Sequence, residues 1–260
     1  MPELVEVEYY RRLAEKAALG REIAAVAAPD LWYLKGGLAP PDLDVLIGCP
    51  LVAARRRGKL LLLDTGGGPV LGLRFGMSGS LEVDGAAGVD GLLYTTDRRL
   101  PGYCRFALAF ADGGHLAVRD PRRLGGVELD PDADRLGPDA LTAGPAAVAA
   151  ALAGSRAPLK ARLMDQARLA GVGNLIADEV LWRAGLDPRR PAGGLSPAET
   201  RRLARHLGGV LQDLLARGGS HAGDVLAERR PGGSCPRDGT PLQRGVVGGR
   251  TTWWCPRHQV

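Results

Sequence analysis

Residues 158–188 read PLKARLMDQARLAGVGNLIADEVLWRAGLDP. Helical spacing of apolar residues over 158–169 runs into Gly171 and Gly173, which make a sharp turn, and resumes over 174–184. Asn174 is placed to cap the second helix. A helix N-terminus behind a glycine turn presents free backbone N–H groups, which suits a phosphate. Spacing alone fits an ordinary helix–helix turn equally well.

Working outward, further helical segments are predicted at 146–153 and 197–216. Before them, from Ile23 to about Leu129, short apolar runs alternate with Gly, Pro and Asp: Leu51–Ala54, Leu60–Leu63, Val70–Leu73, Phe106–Phe110 and His115–Val118. Short strands at this spacing predict a sandwich or barrel. Residues 3–18 read as one helix stopped by Gly20. The predicted class is α+β and multidomain: an N-terminal β-sandwich domain with flanking helices over 1–130, a linker over 131–144, a helical domain over 145–222 and a zinc-finger-like β-hairpin over 228–260.

With 260 residues, 45% hydrophobic and 24% charged, the chain is globular rather than disordered. Its net charge of +5 suits a polyanionic partner without establishing one. Abundant Ala, Gly, Arg and Pro also follow from genomic base composition, so the arginine count is discounted. No run of transmembrane length and no basic-then-apolar signal segment occurs, and the acidic start argues against export. Cys49, Cys104, Cys235 and Cys255 do not make a disulfide framework in a chain this long, which points to a reduced cytoplasmic setting.

The chain opens Met1-Pro2-Glu3-Leu4-Val5-Glu6. Removal of Met1 leaves Pro2 as a secondary amine that can attack an electrophilic carbon to give an iminium. N-terminal amines titrate near ~8, so much of this one is unprotonated without burial. Glu3 lies within reach as a general acid. Taken alone, Pro2 also fits a first helical residue followed by acids that favour the helix dipole. Near the other end, Cys235 and Asp238 are followed, after sixteen residues, by Cys255 and His258, at zinc-ligand spacing. A metal-free hairpin held by Trp253 and Trp254 is the alternative.

Together these segments resemble the formamidopyrimidine-DNA glycosylase and endonuclease VIII family. The likeness covers essentially the whole chain, with residues 158–188 matching the family's helix–two-turn–helix. It implies a bifunctional DNA glycosylase/AP lyase of base excision repair, acting as a monomer on damaged double-stranded DNA, bacterial and nucleoid-associated, without a membrane. Pro2 would attack the sugar C1′, Glu3 would protonate the opened sugar, and Lys59, in Arg55-Arg56-Arg57-Gly58-Lys59, would sit beside the sugar and phosphate. Met77, in Phe75-Gly76-Met77-Ser78-Gly79, would enter the space left by the flipped nucleotide. Asp120-Pro121-Arg122-Arg123-Leu124-Gly125 would supply an arginine, Arg122, and a wedge, with Leu124 in place of the usual phenylalanine. Tyr103 stands where the family often has a phosphate-contacting histidine, and Arg74 also replaces a histidine. Glu6, Lys160 and Asn174 are further expected DNA-binding residues. Arg250 matches the hairpin-tip arginine, expected to grip phosphates beside the lesion and to count among the catalytic groups. The family's finger has four cysteines; here Asp238 and His258 replace two of them in an expected structural zinc site.

Only fifteen residues separate Gly219 from Cys235, where the family usually has a longer stretch with a lesion-covering loop. Ring-opened or oxidised purines are the first expected substrates. Oxidised pyrimidines or bulky alkylated bases come second. A non-catalytic damaged-DNA-binding protein is the reading from another class, and a ribosome-associated RNA binder leaves Pro2-Glu3 unexplained.

Overall fold

A computed structural model describes residues 2–89 and 100–260; Met1, whose removal is expected to expose Pro2, lies outside them. The chain forms two compact units, one of Pro2 with Glu6–Ala133 and the other of Glu3–Val5 with Asp134–Val260.

Helix α1 (Leu4–Ala17), which belongs to the first unit from Glu6 onward, buries Val7, Tyr10 and Ala14, spaced three and four apart. Its outer face carries the ion pairs of Glu8 with Arg11 and Arg12. Strands β1 (Ile23–Ala27), β2 (Leu51–Arg57), β3 (Leu60–Thr65), β4 (Leu71–Arg74), β5 (Ser80–Val83), β6 (Ala86–Ala87), β7 (Cys104–Phe110), β8 (His115–Arg119) and β9 (Gly126–Leu129) follow. They make two antiparallel sheets ordered β1-β7-β8-β5-β6 and β2-β3-β4-β9. One apolar cluster contains Leu61, Leu63 and Leu73 of one sheet with Leu81, Phe106 and Val118 of the other, so the architecture is a sandwich. Strand β3 is buried on both faces, which is why it reads as four consecutive leucines. Arg57 pairs with Leu60 across a two-residue turn whose first member, Gly58, has φ +58°, as a type II′ hairpin requires. Lys59 is the second member of that turn.

The second unit holds α2 (Pro145–Leu152), α3 (Leu159–Leu163), α4 (Asn174–Ala184) and α5 (Pro197–Ala216), then the hairpin of β10 (Gln243–Val247) and β11 (Arg250–Trp254). Ser196 and Glu199 form a reciprocal capping box ahead of α5, and Gly185 ends α4 at φ +64°. The helix expected over 158–169 is shorter than its pattern: α3 stops at Leu163. Beyond it the Gln166 side chain takes over the backbone hydrogen bonding. Its Nε2 donates to the carbonyls of Met164 and Val172, and its Oε1 accepts from Gly171 N. Part of the expected linker is also tied down, since Ala140 N donates to Ala170 O and Ala170 N to Pro138 O. Among the described residues no helix is long and apolar enough to cross a membrane.

Candidate functional site

Pro2 is buried, and Glu3 beside it is fully buried. The Glu3 carboxylate accepts hydrogen bonds from Leu175 N at 2.8 Å and Ile176 N at 3.2 Å, across 172 and 173 residues of sequence. It therefore caps α4 and lies at the positive end of its dipole. This corrects the expectation for Asn174. The N-cap position belongs to Gly173, Asn174 is already helical, and its Oδ1 is buried with no hydrogen-bond partner. The glycine turn exists to admit the N-terminus. A β-carbon at Gly173 would lie 2.2 Å from the Glu3 carboxyl carbon, and one at Gly171 2.3 Å from Leu4 Cδ1.

The same unit fixes the Arg250 hairpin. Gly248 and Gly249 have φ +58° and +73°, the pattern of a type I′ turn, and Arg250 opens β11 exposed to solvent. A β-carbon on Gly248 would meet that of Ala161 on α3 at 2.6 Å, so the tip packs closely. Lys160 is fully buried, with Nζ 2.7 Å from Asp178 Oδ1, donating to Thr252 Oγ1 at 2.8 Å and Thr251 O at 3.2 Å. Asp178 is also 2.9 Å from Arg229. Burial pulls the Lys160 ammonium below the usual lysine range, against the opposing charges of Asp178 and Glu3. Lys160 was expected at the nucleotide. Here its three partners tie together α3, α4 and the strand that carries Arg250.

In the first unit the expected base-gap residues converge on Asp120. This fully buried carboxylate accepts from Ser78 Oγ at 2.5 Å, Leu124 N at 2.9 Å and Gly125 N at 2.8 Å, and from Arg122 N at 3.2 Å. Ser78 neighbours half-buried Met77, so one carboxylate sets the register of Met77, Arg122 and Leu124. A β-carbon at Gly76 would lie 2.4 Å from the Leu124 carbonyl carbon, so the two loops touch. Arg123 is clamped to Asp30 at 2.6 Å, while Arg122 is exposed and Leu124 is 51% exposed. Tyr103 is half-buried, and its carbonyl accepts from Asp120 N at 2.9 Å. Lys59 is half-buried on its turn and Glu6 is buried on α1. Arg74 pairs with Glu128 at 2.8 Å.

Cys235, Asp238, Cys255 and His258 come together, one potential ligand atom from each lying within 4.8 Å of the others. His258 Nδ1 is 3.5 Å from Cys235 Sγ and 3.5 Å from Asp238 Oδ2, which is 3.5 Å from Cys255 Sγ. Ligands on a tetrahedron with metal bonds of about 2.0–2.3 Å are about 3.3–3.8 Å apart, a range that holds these three contacts but not the full 4.8 Å spread of the cluster. The backbone N–H of Thr240 holds the Asp238 carboxyl well below the usual carboxylate range, while burial pushes the Cys255 thiol up.

Motif reading did not assign roles to Asp120, Asp178 or Trp182. Asp120 lay inside a quoted motif, and Asp178 with Glu179 interrupts an apolar helix; both are acids in segments that otherwise bury.

Residues 1–127 match the model of the formamidopyrimidine-DNA glycosylase N-terminal domain, and residues 136–224 match that family's H2TH domain. The formamidopyrimidine-DNA glycosylase of Paracoccus denitrificans (strain Pd 1222) is 38% identical, with 98% of this chain and 99% of that one covered. That of Laribacter hongkongensis (strain HLHK9) is 37% identical with both chains fully covered. Among solved structures, the LlFpg protein in complex with a THF-DNA and an inhibitor superposes with a TM-score of 0.84 at 26% identity, covering 100% of both chains. Lactococcus lactis Fpg with a Fapy-dG-containing DNA gives 0.83 at 26% identity and 99% coverage of both.

Proposed function

The chain belongs to the formamidopyrimidine-DNA glycosylase family, and from that premise we propose that it excises ring-opened and oxidised purines from duplex DNA through the amine of Pro2 and then cleaves the strand. It is a DNA glycosylase of base excision repair. With Met1 removed, the Pro2 nitrogen adds to C1′, the C1′–base bond breaks, and the base leaves as an anion that takes a proton from solvent water. Protonation of O4′ opens the sugar to an iminium. Loss of a C2′ proton then expels the 3′ phosphate, and water finally releases the amine.

The observation that carries this reading is the place of Glu3. A fully buried carboxylate one residue from the nucleophile is held by two backbone N–H groups at a helix N-terminus. Fixed there, it takes the proton Pro2 loses and returns it to O4′. Lys59 and Arg250 serve the flanking phosphates, Asn174 offers its open amide to the backbone, and Met77, Arg122 and Leu124 fill the gap left by the extruded nucleotide. Zinc held by Cys235, Asp238, Cys255 and His258 would brace the hairpin that carries Arg250 and take no part in the chemistry.

Support for the substrate class comes from relatives named for formamidopyrimidine and from Lactococcus lactis Fpg structures with Fapy-dG DNA. Purines with a bulky N7 substituent form a second class. The stretch after α5 is short and is drawn onto α4, where Glu179 accepts from Val225 N and Asp178 from Arg229. That leaves little chain to cover a lesion. A related complex holds N7-benzyl-Fapy-dG DNA.

The test is borohydride trapping on duplexes carrying an abasic site, Fapy-dG, N7-benzyl-Fapy-dG or an oxidised pyrimidine. The processed chain should give a covalent adduct, and chain retaining Met1 should give none. A processed chain that retards every duplex but never becomes linked would be a damage binder instead.

A further inference from the structure

His258 is not an isolated replacement in the finger, because one α4 residue contacts both it and Cys235. Trp182 is 7% exposed on the last turn of α4. Its indole Nε1–H donates to Cys235 Sγ at 3.4 Å, and its main-chain carbonyl lies 3.0 Å from His258 Nε2. The indole and imidazole rings meet edge-on with centroids 5.9 Å apart. A carbonyl oxygen has no proton to give, so His258 must donate through Nε2. In the neutral ring that leaves the lone pair on Nδ1, the nitrogen facing Cys235 and Asp238.

Asp238 is held from outside as well. Its Oδ1 accepts from Thr240 N at 2.9 Å, Oδ2 lies 3.5 Å from His258 Nδ1, and Cys255 Sγ is 3.6 Å from Oδ1 and 3.5 Å from Oδ2. Cys255 N donates to Gln259 Oε1 at 2.8 Å, and Gln259 Nε2 donates to Leu186 O at 3.1 Å, just beyond α4. Outer partners of this kind fix ligand orientation and tautomer, and their loss typically costs about 10–100-fold in metal affinity.

We infer that Trp182 is the orienting residue of a zinc site built from Cys235, Asp238, Cys255 and His258: its carbonyl selects Nδ1 of His258 as the ligand, and its indole N–H steadies the Cys235 thiolate. This rests on the metal reading above and adds which atoms bind and what orients them. A four-cysteine finger has no imidazole to orient. An indole N–H delocalises charge from the sulfur without competing for the metal. The edge-on ring contact resists rotation of the imidazole away from the cluster.

The experiment uses the full chain, stripped of metal and refilled. Zinc affinity is measured by competition with a chromophoric chelator, and cobalt(II) loading by its thiolate charge-transfer absorption. Trp182→Phe keeps a ring against His258 but deletes the N–H, and zinc affinity should fall by about tenfold or more. On the zinc-loaded wild type, long-range 1H–15N spectra should show His258 with metal on Nδ1 and a proton on Nε2. Equal zinc affinity in Trp182→Phe, or His258 bound through Nε2, overturns the inference while leaving the metal site standing. A wild-type chain that takes up neither cobalt(II) nor zinc overturns the metal reading and this inference with it.

Discussion

Lys160→Met separates a structural cation from a nucleotide contact. Methionine roughly keeps the length of the buried stem but removes the charge, and with it the 2.7 Å ion pair to Asp178 and the hydrogen bonds to Thr251 O and Thr252 Oγ1. Removing one member of a buried pair costs about 3–5 kcal/mol, because the partner stays behind uncompensated. Asp178 keeps Arg229 at 2.9 Å, which places this case at the lower end, about 3 kcal/mol. That is a factor of roughly 150 in the unfolding equilibrium of the second unit. Urea denaturation followed by tryptophan emission reads that unit, since Trp182, Trp253 and Trp254 belong to it and Trp32 alone to the first. Asp178→Asn should be costly in the wild type, where it leaves two cations facing a neutral amide, and clearly less so in the Lys160→Met background. The coupling should reach about 1–3 kcal/mol. A loss below about 1 kcal/mol with additive effects, together with a shallower salt dependence of DNA binding, would refute the structural assignment and return Lys160 to the nucleotide.

Gly173→Ala should lower glycosylase turnover by about 100-fold or more, because the added carbon occupies the place of the Glu3 carboxylate and a displacement near 1 Å is that costly; single-turnover excision that is unchanged would mean Glu3 need not sit where it does. Asp120→Asn puts an amide N–H₂ among four hydrogen-bond donors and should destabilise the first unit by about 2–3 kcal/mol while eroding discrimination of the base opposite the lesion more than cleavage at an abasic site; equal losses on both substrates would deny the loop its proposed role. Arg250→Gln should weaken DNA binding across sequences and reduce the salt slope by about one phosphate contact, as titrations at several salt concentrations would reveal. The Arg190 guanidinium, helped by Ser196 N, holds Glu199 down from its ordinary 4.5 to about 2. A depressed carboxylate contributes stability that is complete above its unfolded value and fades as pH falls from about 4.5 through about 2, so the gap between wild type and Glu199→Gln should close over that window. A constant gap would show that Glu199 stabilises only through its uncharged contacts.

Local pattern made the elements legible where one physical rule governs them. Leu60–Leu63 reads as a strand buried on both faces, and Ser196 with Glu199 announces α5 by the spacing of its capping box. The pattern failed where polar groups are satisfied from far along the chain. Helical spacing continued through 164–169, but Gln166 holds that backbone in a turn. Asn174 had the residue type of a cap but lies one position too late, and the cap comes from Glu3, beyond the reach of any local window. Lys160 sat on a segment expected to touch DNA, and only the fold reveals that Asp178 lies opposite it. Of the candidate metal cluster, spacing named the four donors, but Trp182, which contacts two of them, is on a helix more than fifty residues before Cys235.

The common element in these long-range contacts is α4. Its first turn receives Glu3, its middle carries Asp178 and through Lys160 the strand of Arg250, and its last turn presents Trp182 to Cys235 and His258. Eleven residues at about 1.5 Å rise make it only about 16 Å long, too short to bend appreciably. Glu3, the Arg250 hairpin and the finger are therefore held against one stiff rod rather than against flexible loops. A helix meant only for the core would bury an apolar stripe; α4 spends Asp178 and Glu179 inside, at a desolvation cost that each offsets with arginine or lysine. Buried carboxylates of this kind stabilise little against apolar replacements, but they fix direction. In this unit direction is what the proposed chemistry asks for, since it has the Glu3 carboxylate and the Arg250 guanidinium keep their mutual geometry while DNA comes and goes.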